Sequence, residues 1–366
     1  MKTLFLAAGL MTAPAFAQSI VSPEVQPDGR VTFRLVAPNA KQVKVAGEGV
    51  GADLQRDTNG VWTATSPVLS PDIYNYSFDV DGAHTLDPAN PLVKFNLLNS
   101  ENMVHVPGPK SLLWEVNDVP HGELGRHTFK STVAGESRNY VVYTPPGYEP
   151  KARTRYPVLY LLHGYSDDAD SWSTAGCANV ILDNLIARGQ AKPMLVVMPL
   201  GYGTMEIVTN GWSRVNDPVL WQKNLDQFEK ILLEEVIPQV DKSYRVRKGR
   251  ESRAIVGLSM GGAESLLTGL NHLDRFAWVG SFSAGGLGTN YVSEFPKLDS
   301  QANKKLHLLW IGCGTSDWLY SANQGFCSWL KSEDIHYQWV ESPGGHAYTV
   351  WRRYLGEFAP LLFQKK

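Results

Sequence analysis

Ile255-Val256-Gly257-Leu258-Ser259-Met260-Gly261-Gly262 is the stretch on which the reading of this chain turns. An apolar run ends at a glycine, a serine follows between further glycines, and residues 263–267 continue as a helix-compatible segment. The pattern predicts a buried strand that passes into a helix through a very sharp turn, with Ser259 at its apex. A side chain on such a turn takes strained backbone angles, and its neighbours must be small to avoid collision. The serine hydroxyl then stands at the positive end of a helix. Glycine patterns of five residues arise by chance, so the surrounding sequence has to decide what this one means.

Working outward, strands alternate with helices. Val158-Leu159-Tyr160-Leu161-Leu162 and Leu195-Val196-Val197-Met198 are unbroken apolar runs, as expected of strands buried on both faces. Residues 180–188 have a helical pattern, as do Leu225, Phe228, Ile231, Leu232, Val236 and Val240, with Pro238 expected to kink the end of that helix. Beyond Ser259, residues 277–282 and 306–311 read as strands, 323–331 as a helix, 337–340 as a strand and 349–362 as a last helix. Repeated β-α units imply a mostly parallel sheet with helices on both faces, and place reactive groups on loops after the strands' carboxyl ends.

A serine hydroxyl needs a base, and the base needs an orienting carboxylate. In an α/β hydrolase these follow in the order Ser, Asp or Glu, His. Asp317 follows the glycine-rich end of a strand (Ile311-Gly312-Cys313-Gly314), and His346 closes Ser342-Pro343-Gly344-Gly345 between the last strand and the last helix. Asp299 and Asp334 fall in a polar stretch and a turn, His307 and His336 in or beside strands, and His272 at a helix end. Ser259, Asp317 and His346 are therefore the expected catalytic set. The amide of Met260 and that of Tyr165, after His163-Gly164, are the expected oxyanion donors. His163 is expected to organise its loop.

The N-terminal part differs. Val31-Thr32-Phe33-Arg34-Leu35-Val36, Val43-Lys44-Val45, Val61-Trp62-Thr63-Ala64 and residues 74–80 alternate apolar and polar residues between turn signals, predicting a small all-β immunoglobulin-like sandwich over 18–107. Trp62, Tyr74 and Tyr76 are candidates either to stack on sugar rings or to fill that core. Residues 108–124 read as a linker, and 125–366 as the α/β-hydrolase unit, opening with a hairpin around Gly135-Glu136. Residues 1–17, with Lys2, an apolar run and Ala15-Phe16-Ala17, read as a signal peptide, implying a secreted or periplasmic protein.

Net charge is -2 without a basic patch, so no nucleic-acid partner is expected, and no later apolar run is long enough to imply a membrane partner. Nine histidines lack H-E-x-x-H or paired-cysteine spacing, so neither a metal nor a cofactor is expected. Cys177, Cys313 and Cys327 allow one disulfide at most. Cys313 and Cys327 are the nearer pair, and three unpaired thiols are the other reading.

Two family resemblances follow. Residues 31–38, 43–45, 60–62, 74–76, 81–82 and 86–88 resemble family-48 carbohydrate-binding modules. Residues 158–172, 237–244, 253–262, 269–283, 311–317 and 344–351 resemble the family-1 carbohydrate esterases, which include feruloyl and acetylxylan esterases. The second resemblance implies a secreted serine esterase that releases ferulate from feruloylated arabinoxylan or its oligosaccharides through an acyl-enzyme. Acetylxylan esterases, siderophore esterases, acyl transfer to a sugar and a non-catalytic carbohydrate-binding protein are its rivals. An aromatic acyl group wants an aromatic-walled slot. Trp172, Trp212, Trp318, Trp351 and Tyr202 are candidates for it, beside Gly164, while Ser213, Arg214 and Asn216 are candidates for the sugar.

Overall fold

The computed structural model describes residues 20–209 and 211–364. The leader expected over residues 1–17 lies outside them. Among the described residues, no helix is long and apolar enough to cross a membrane.

The N-terminal unit is a two-sheet sandwich. One sheet orders Glu24–Val25, Val31–Val36, Val61–Thr65 and Gln55–Arg56. The other orders Ala52–Asp53, Val43–Gly47, Asp72–Val80, Glu101–Val106 and Val93–Lys94, with Ala83–Thr85 against Asp72–Val80. Alternating residues point inward, and Val31, Phe33, Val43, Tyr76 and Phe78 are fully buried between the sheets. Trp62 and Tyr74 belong to the same core. The Trp62 indole donates to Ala37 O at 2.8 Å, Tyr74 Oη to Ser70 O at 2.8 Å and Tyr76 Oη to Asp87 at 2.8 Å. Of the two readings of these rings, the structure selects core packing.

The C-terminal unit carries an eight-stranded sheet. Its strands are β1 (Glu123–Lys130), β2 (Ser137–Thr144), β3 (Val158–Leu162), β4 (Leu195–Pro199), β5 (Arg253–Gly257), β6 (Trp278–Phe282), β7 (Leu308–Gly314) and β8 (Gln338–Ser342). Their spatial order is β1-β2-β4-β3-β5-β6-β7-β8. The hairpin β1-β2 is antiparallel, as is the pairing of β2 with β4, and every later pairing is parallel. Val158, Tyr160 and Leu162 face one core, whereas Leu159 and Leu161 face the other. The sheet thus separates two cores, which explains why β3 shows no polar alternation.

Just before Pro238 the helix departs from regular α geometry. The helix Pro218–Lys230 passes into a π-helical turn, Ile231–Val236, before Ile237–Ser243 resumes α geometry. Proline has no N–H to donate and its ring crowds the preceding turn, and the widened turn accommodates both. Of the two readings of the cysteines, the structure selects the unpaired one: Cys177, Cys313 and Cys327 are buried free thiols. Residues 108–122 run over the surface and are anchored at one ring. Trp114 is buried in one of the two cores flanking the sheet, and Asn184 donates to Leu113 O and Glu115 O.

Candidate active site

Strand β5 ends at Gly257, and the helix Met260–Asn271 starts three residues later. Ser259 between them has φ 52° and ψ -118°, a conformation that a side chain enters only under constraint. Its amide donates to Phe282 O at 2.9 Å, and its carbonyl accepts from Gly262, Ala263 and Gly285. A Cβ at Gly257 would stand 2.3 Å from Gly261 O, and one at Gly261 would stand 2.4 Å from His163 O. The flanking glycines are therefore demanded by close backbone approach.

His346, on the loop between β8 and the helix Tyr348–Phe358, donates from Nδ1 to Asp317 Oδ2 at 2.9 Å. The Asp317 carboxylate is fully buried just beyond β7. Burial pushes its pKa up, but the hydrogen bond and charge of His346, the Leu319 amide and the Ser283 hydroxyl outweigh that together and hold it below its ordinary value. An ionised carboxylate there keeps the second imidazole nitrogen free to act on a neighbouring hydroxyl. Ser259 and His346 line one cleft of about 1000 Å³.

The loop after β3 approaches Ser259 from the other side. A Cβ at Gly164 would stand 2.7 Å from Leu258 Cδ1 and 3.2 Å from Ser259 Cβ. Among the described residues, the amides of Tyr165 and Met260 donate to no other group. The Met260 amide belongs to the helix's first turn, where N–H groups have no intrahelical acceptor. Buried His163 fixes the loop. Its Nδ1 donates to Gly164 O at 2.8 Å and its Nε2 accepts from the Gly201 amide at 2.8 Å. Burial lowers its pKa, consistent with that neutral tautomer.

Trp212, Trp318 and Trp351 line the cleft, as do Gly164, Tyr165, Met260 and Asn216. Trp318 is 74 % exposed, with its ring 5.2 Å from that of His346. Trp212 is 56 % exposed and lies 4.9 Å from the Tyr165 ring. Trp351 is buried edge-on against His346 and donates to Ser283 Oγ at 3.1 Å. Trp172 is a correction. It is 1 % exposed, donates to Leu162 O at 2.9 Å, packs on Phe282 and Tyr348, and does not reach the cleft. Tyr202 is likewise core, with its hydroxyl on Asp167 O at 3.0 Å. Arg214 pairs with Asp217 and Glu206, away from the lining, and Ser213 lies in the same 3₁₀ segment, Gly211–Asn216.

Sequence reasoning missed two contributors. Trp221 lines the cleft and donates to Gly286 O at 2.9 Å. It sits on the helix Pro218–Lys230, where an aromatic reads as packing. The other contributor is the N-terminal sandwich, which supplies part of the lining itself. Its Lys94 makes a buried ion pair with Asp167 at 2.6 Å, and Asp167 also accepts from Tyr348 Oη at 2.9 Å. One carboxylate thereby ties the sandwich, the Gly164–Tyr165 loop and the His346 loop together.

A model described as putative esterase matches residues 131–359, and one described as carbohydrate-binding module 48 (isoamylase N-terminal domain) matches residues 21–92. An endo-1,4-beta-xylanase/feruloyl esterase of Xylanibacter ruminicola is 32% identical over 352 residues, covering 93% of this chain and 46% of that protein. The chain spans about half the length of the curated relatives it matches. Among solved structures, a ferulic acid esterase of Anaeromyces mucronatus is 25% identical with a TM-score of 0.61, over 70% of this chain and 96% of that one. An enterochelin esterase of Shigella flexneri is 20% identical with a TM-score of 0.69, over 93% of this chain and 95% of that one, so the likeness in fold extends over both units.

Proposed function

This chain belongs to the putative esterase family, and we propose that it is a serine carboxylic-ester hydrolase releasing ferulate or a related hydroxycinnamate from arabinoxylan-type polysaccharide. The observation that carries this reading is Ser259 on its constrained turn, sharing one cleft with a His346 that Asp317 orients. Ser259 Oγ attacks the ester carbonyl as His346 takes its proton. The tetrahedral oxyanion is received by the Tyr165 and Met260 amides, and His346 then protonates the departing sugar hydroxyl. The acyl group remains on Ser259 until His346 activates water, whose attack frees the acid and restores the serine. Exposed Trp212 and Trp318 flank a cleft large enough for an aromatic acyl group. We place the enzyme outside the cytoplasm on the strength of Ala15-Phe16-Ala17. N-terminal sequencing of the exported protein should begin at Gln18.

A panel of methyl ferulate, acetylated xylan, a catecholate lactone and a short nitrophenyl ester tests the acyl preference. Ferulate release should exceed the others. In Ser259→Ala it should fall by on the order of 10⁴-fold or more. Wild-type turnover in that variant would remove Ser259 from the nucleophile's role, and preference for acetate would make the chain an acetylxylan esterase.

A further inference from the structure

A second serine beside the nucleophile has a constrained backbone. Ser283, the first residue after β6, has φ 51°, against 52° at Ser259, and is fully buried. Left-handed backbone costs a serine energy, and such strain gathers where a site needs a fixed geometry. The backbone around Ser283 is pinned. Its amide donates to Gly312 O in β7 at 2.7 Å, the Ala284 amide to Asn323 Oδ1 at 3.0 Å and the Gly285 amide to Ser259 O at 2.9 Å. Phe282 O accepts from the Ser259 amide. The segment thus joins the turn of the nucleophile to the strand that carries the Asp317 loop.

The bonding of the Ser283 hydroxyl follows from a count. A hydroxyl has one proton to give and two lone pairs. Trp351 Nε1 can only donate, and it does so to Ser283 Oγ at 3.1 Å. The Cys313 thiol, which burial pushes up to about 12 and so keeps protonated, faces the same oxygen. The hydroxyl's own proton goes to the Asp317 carboxylate. That carboxylate also accepts from His346 Nδ1 at Oδ2 and from the Leu319 amide at Oδ1, each at 2.9 Å. His346 from its loop and Cys313 from β7 are the titratable groups beside this network; β6 and the helix Tyr348–Phe358 bring Ser283 and Trp351, which do not titrate.

We propose that Ser283 is a positioning residue of the catalytic set: its hydroxyl, anchored by Trp351, holds the Asp317 carboxylate in register with His346 and moderates the pull of that carboxylate on the imidazole. Neither Ser283 nor Asp317 lines the cleft, so the effect reaches the substrate only through His346. Trp351 has two parts in it. Its ring stands edge-on to that of His346, centroids 4.8 Å apart, while its N–H fixes the hydroxyl that steadies the acid. The inference rests on the esterase reading above and adds a member to its machinery.

The test uses the full chain, with methyl ferulate and a short nitrophenyl ester. In Ser283→Ala, kcat should fall about tenfold on both esters with KM unchanged, because a hydrogen bond to a charged group is lost and no substrate contact is. A carboxylate with one donor fewer holds the imidazolium more tightly, so the acidic limb of the kcat/KM profile should move up by about half a pH unit. Ser283→Gly takes the same backbone angles without strain but lacks the hydroxyl, and it should show the same two changes. Trp351→Phe keeps a ring beside His346, loses the N–H, and should move the limb in the same direction, which keeps the inference open to test if the Ser283 variants do not fold. Parental kcat and pH profile in Ser283→Gly would mean that only the backbone matters, and would overturn the proposal. A lower kcat with an unmoved acidic limb would overturn it too, while leaving the esterase reading intact. A parent chain inactive on both esters overturns that reading, and this inference with it.

Discussion

Ser259 reaches its position because two glycines let three backbone segments crowd around it, and that crowding is readable from the sequence. So are the loops of Asp317 and His346: the first follows the apolar strand β7, and the second is the glycine-rich stretch between the last strand and the last helix. The direction in which a loop tryptophan faces is not. Trp172, in the short helix Ser171–Thr174 after β3, and Trp318, in the turn after β7, read alike in sequence, yet one is core and the other 74 % exposed. Asp317→Asn keeps the shape of the His346 contact but removes the charge that selects its tautomer. We expect kcat to fall by roughly 10⁴-fold with KM little changed, read in steady-state kinetics.

Glu264, one turn into the helix that follows Ser259, is 1 % exposed, and neither carboxyl oxygen has a partner among the described residues. Burial raises its pKa well above the ordinary carboxyl value. The folded state therefore holds its proton where the unfolded chain has lost it. This contribution is fully present below the unfolded pKa of about 4.3 and is lost as pH climbs toward the folded value. Glu264→Gln should gain thermal stability over the parent as pH rises from about 5 to 8, measured by Tm at each pH. A gain independent of pH would contradict the buried-acid account.

At the scale of elements, the boundaries of β3, β4 and β5 were legible within a residue or two, because buried parallel strands leave unbroken apolar runs. The π-helical turn before Pro238 was not, since a proline signals only that regular α geometry must give way and not how. The short 3₁₀ segment Gly211–Asn216 matters more for specificity. It presents Trp212 against Tyr165, whose hydroxyl donates to the carbonyls of Ile207 and Gly211 and so fastens the segment. Trp212→Ala should raise KM for methyl ferulate about tenfold while changing hydrolysis of a short acetate ester much less. Equal effects on both would mean that the ring only braces the segment.

The docking of the sandwich on the hydrolase unit was invisible in the sequence. Asp72 and Arg352 are 280 residues apart, and nothing local to either announces the pair. Each reads alone as a charge on a surface. Together they are buried, with Arg352 also donating to Ala175 O and Ile73 O, and with Arg353 3.5 Å from the second Asp72 oxygen. Removing one partner of a buried pair strands the other and costs about 3–5 kcal/mol. Lys94→Met should therefore lower stability by about 3 kcal/mol in chemical denaturation and should also depress kcat, because Asp167 bridges both catalytic loops. Unchanged turnover in a folded Lys94→Met would separate the interface from the chemistry.

The three unpaired cysteines place reporters on either side of the central sheet. Cys177 lies in one of the cores the sheet separates and Cys327 in the other. Burial raises the thiol pKa of each, to about 12 for Cys327, so neither reacts appreciably while the structure stays closed. Alkylation followed by mass spectrometry would then time the opening of each face separately, without any engineered label. The same absence of cross-links means that refolding requires no oxidant and no disulfide isomerase.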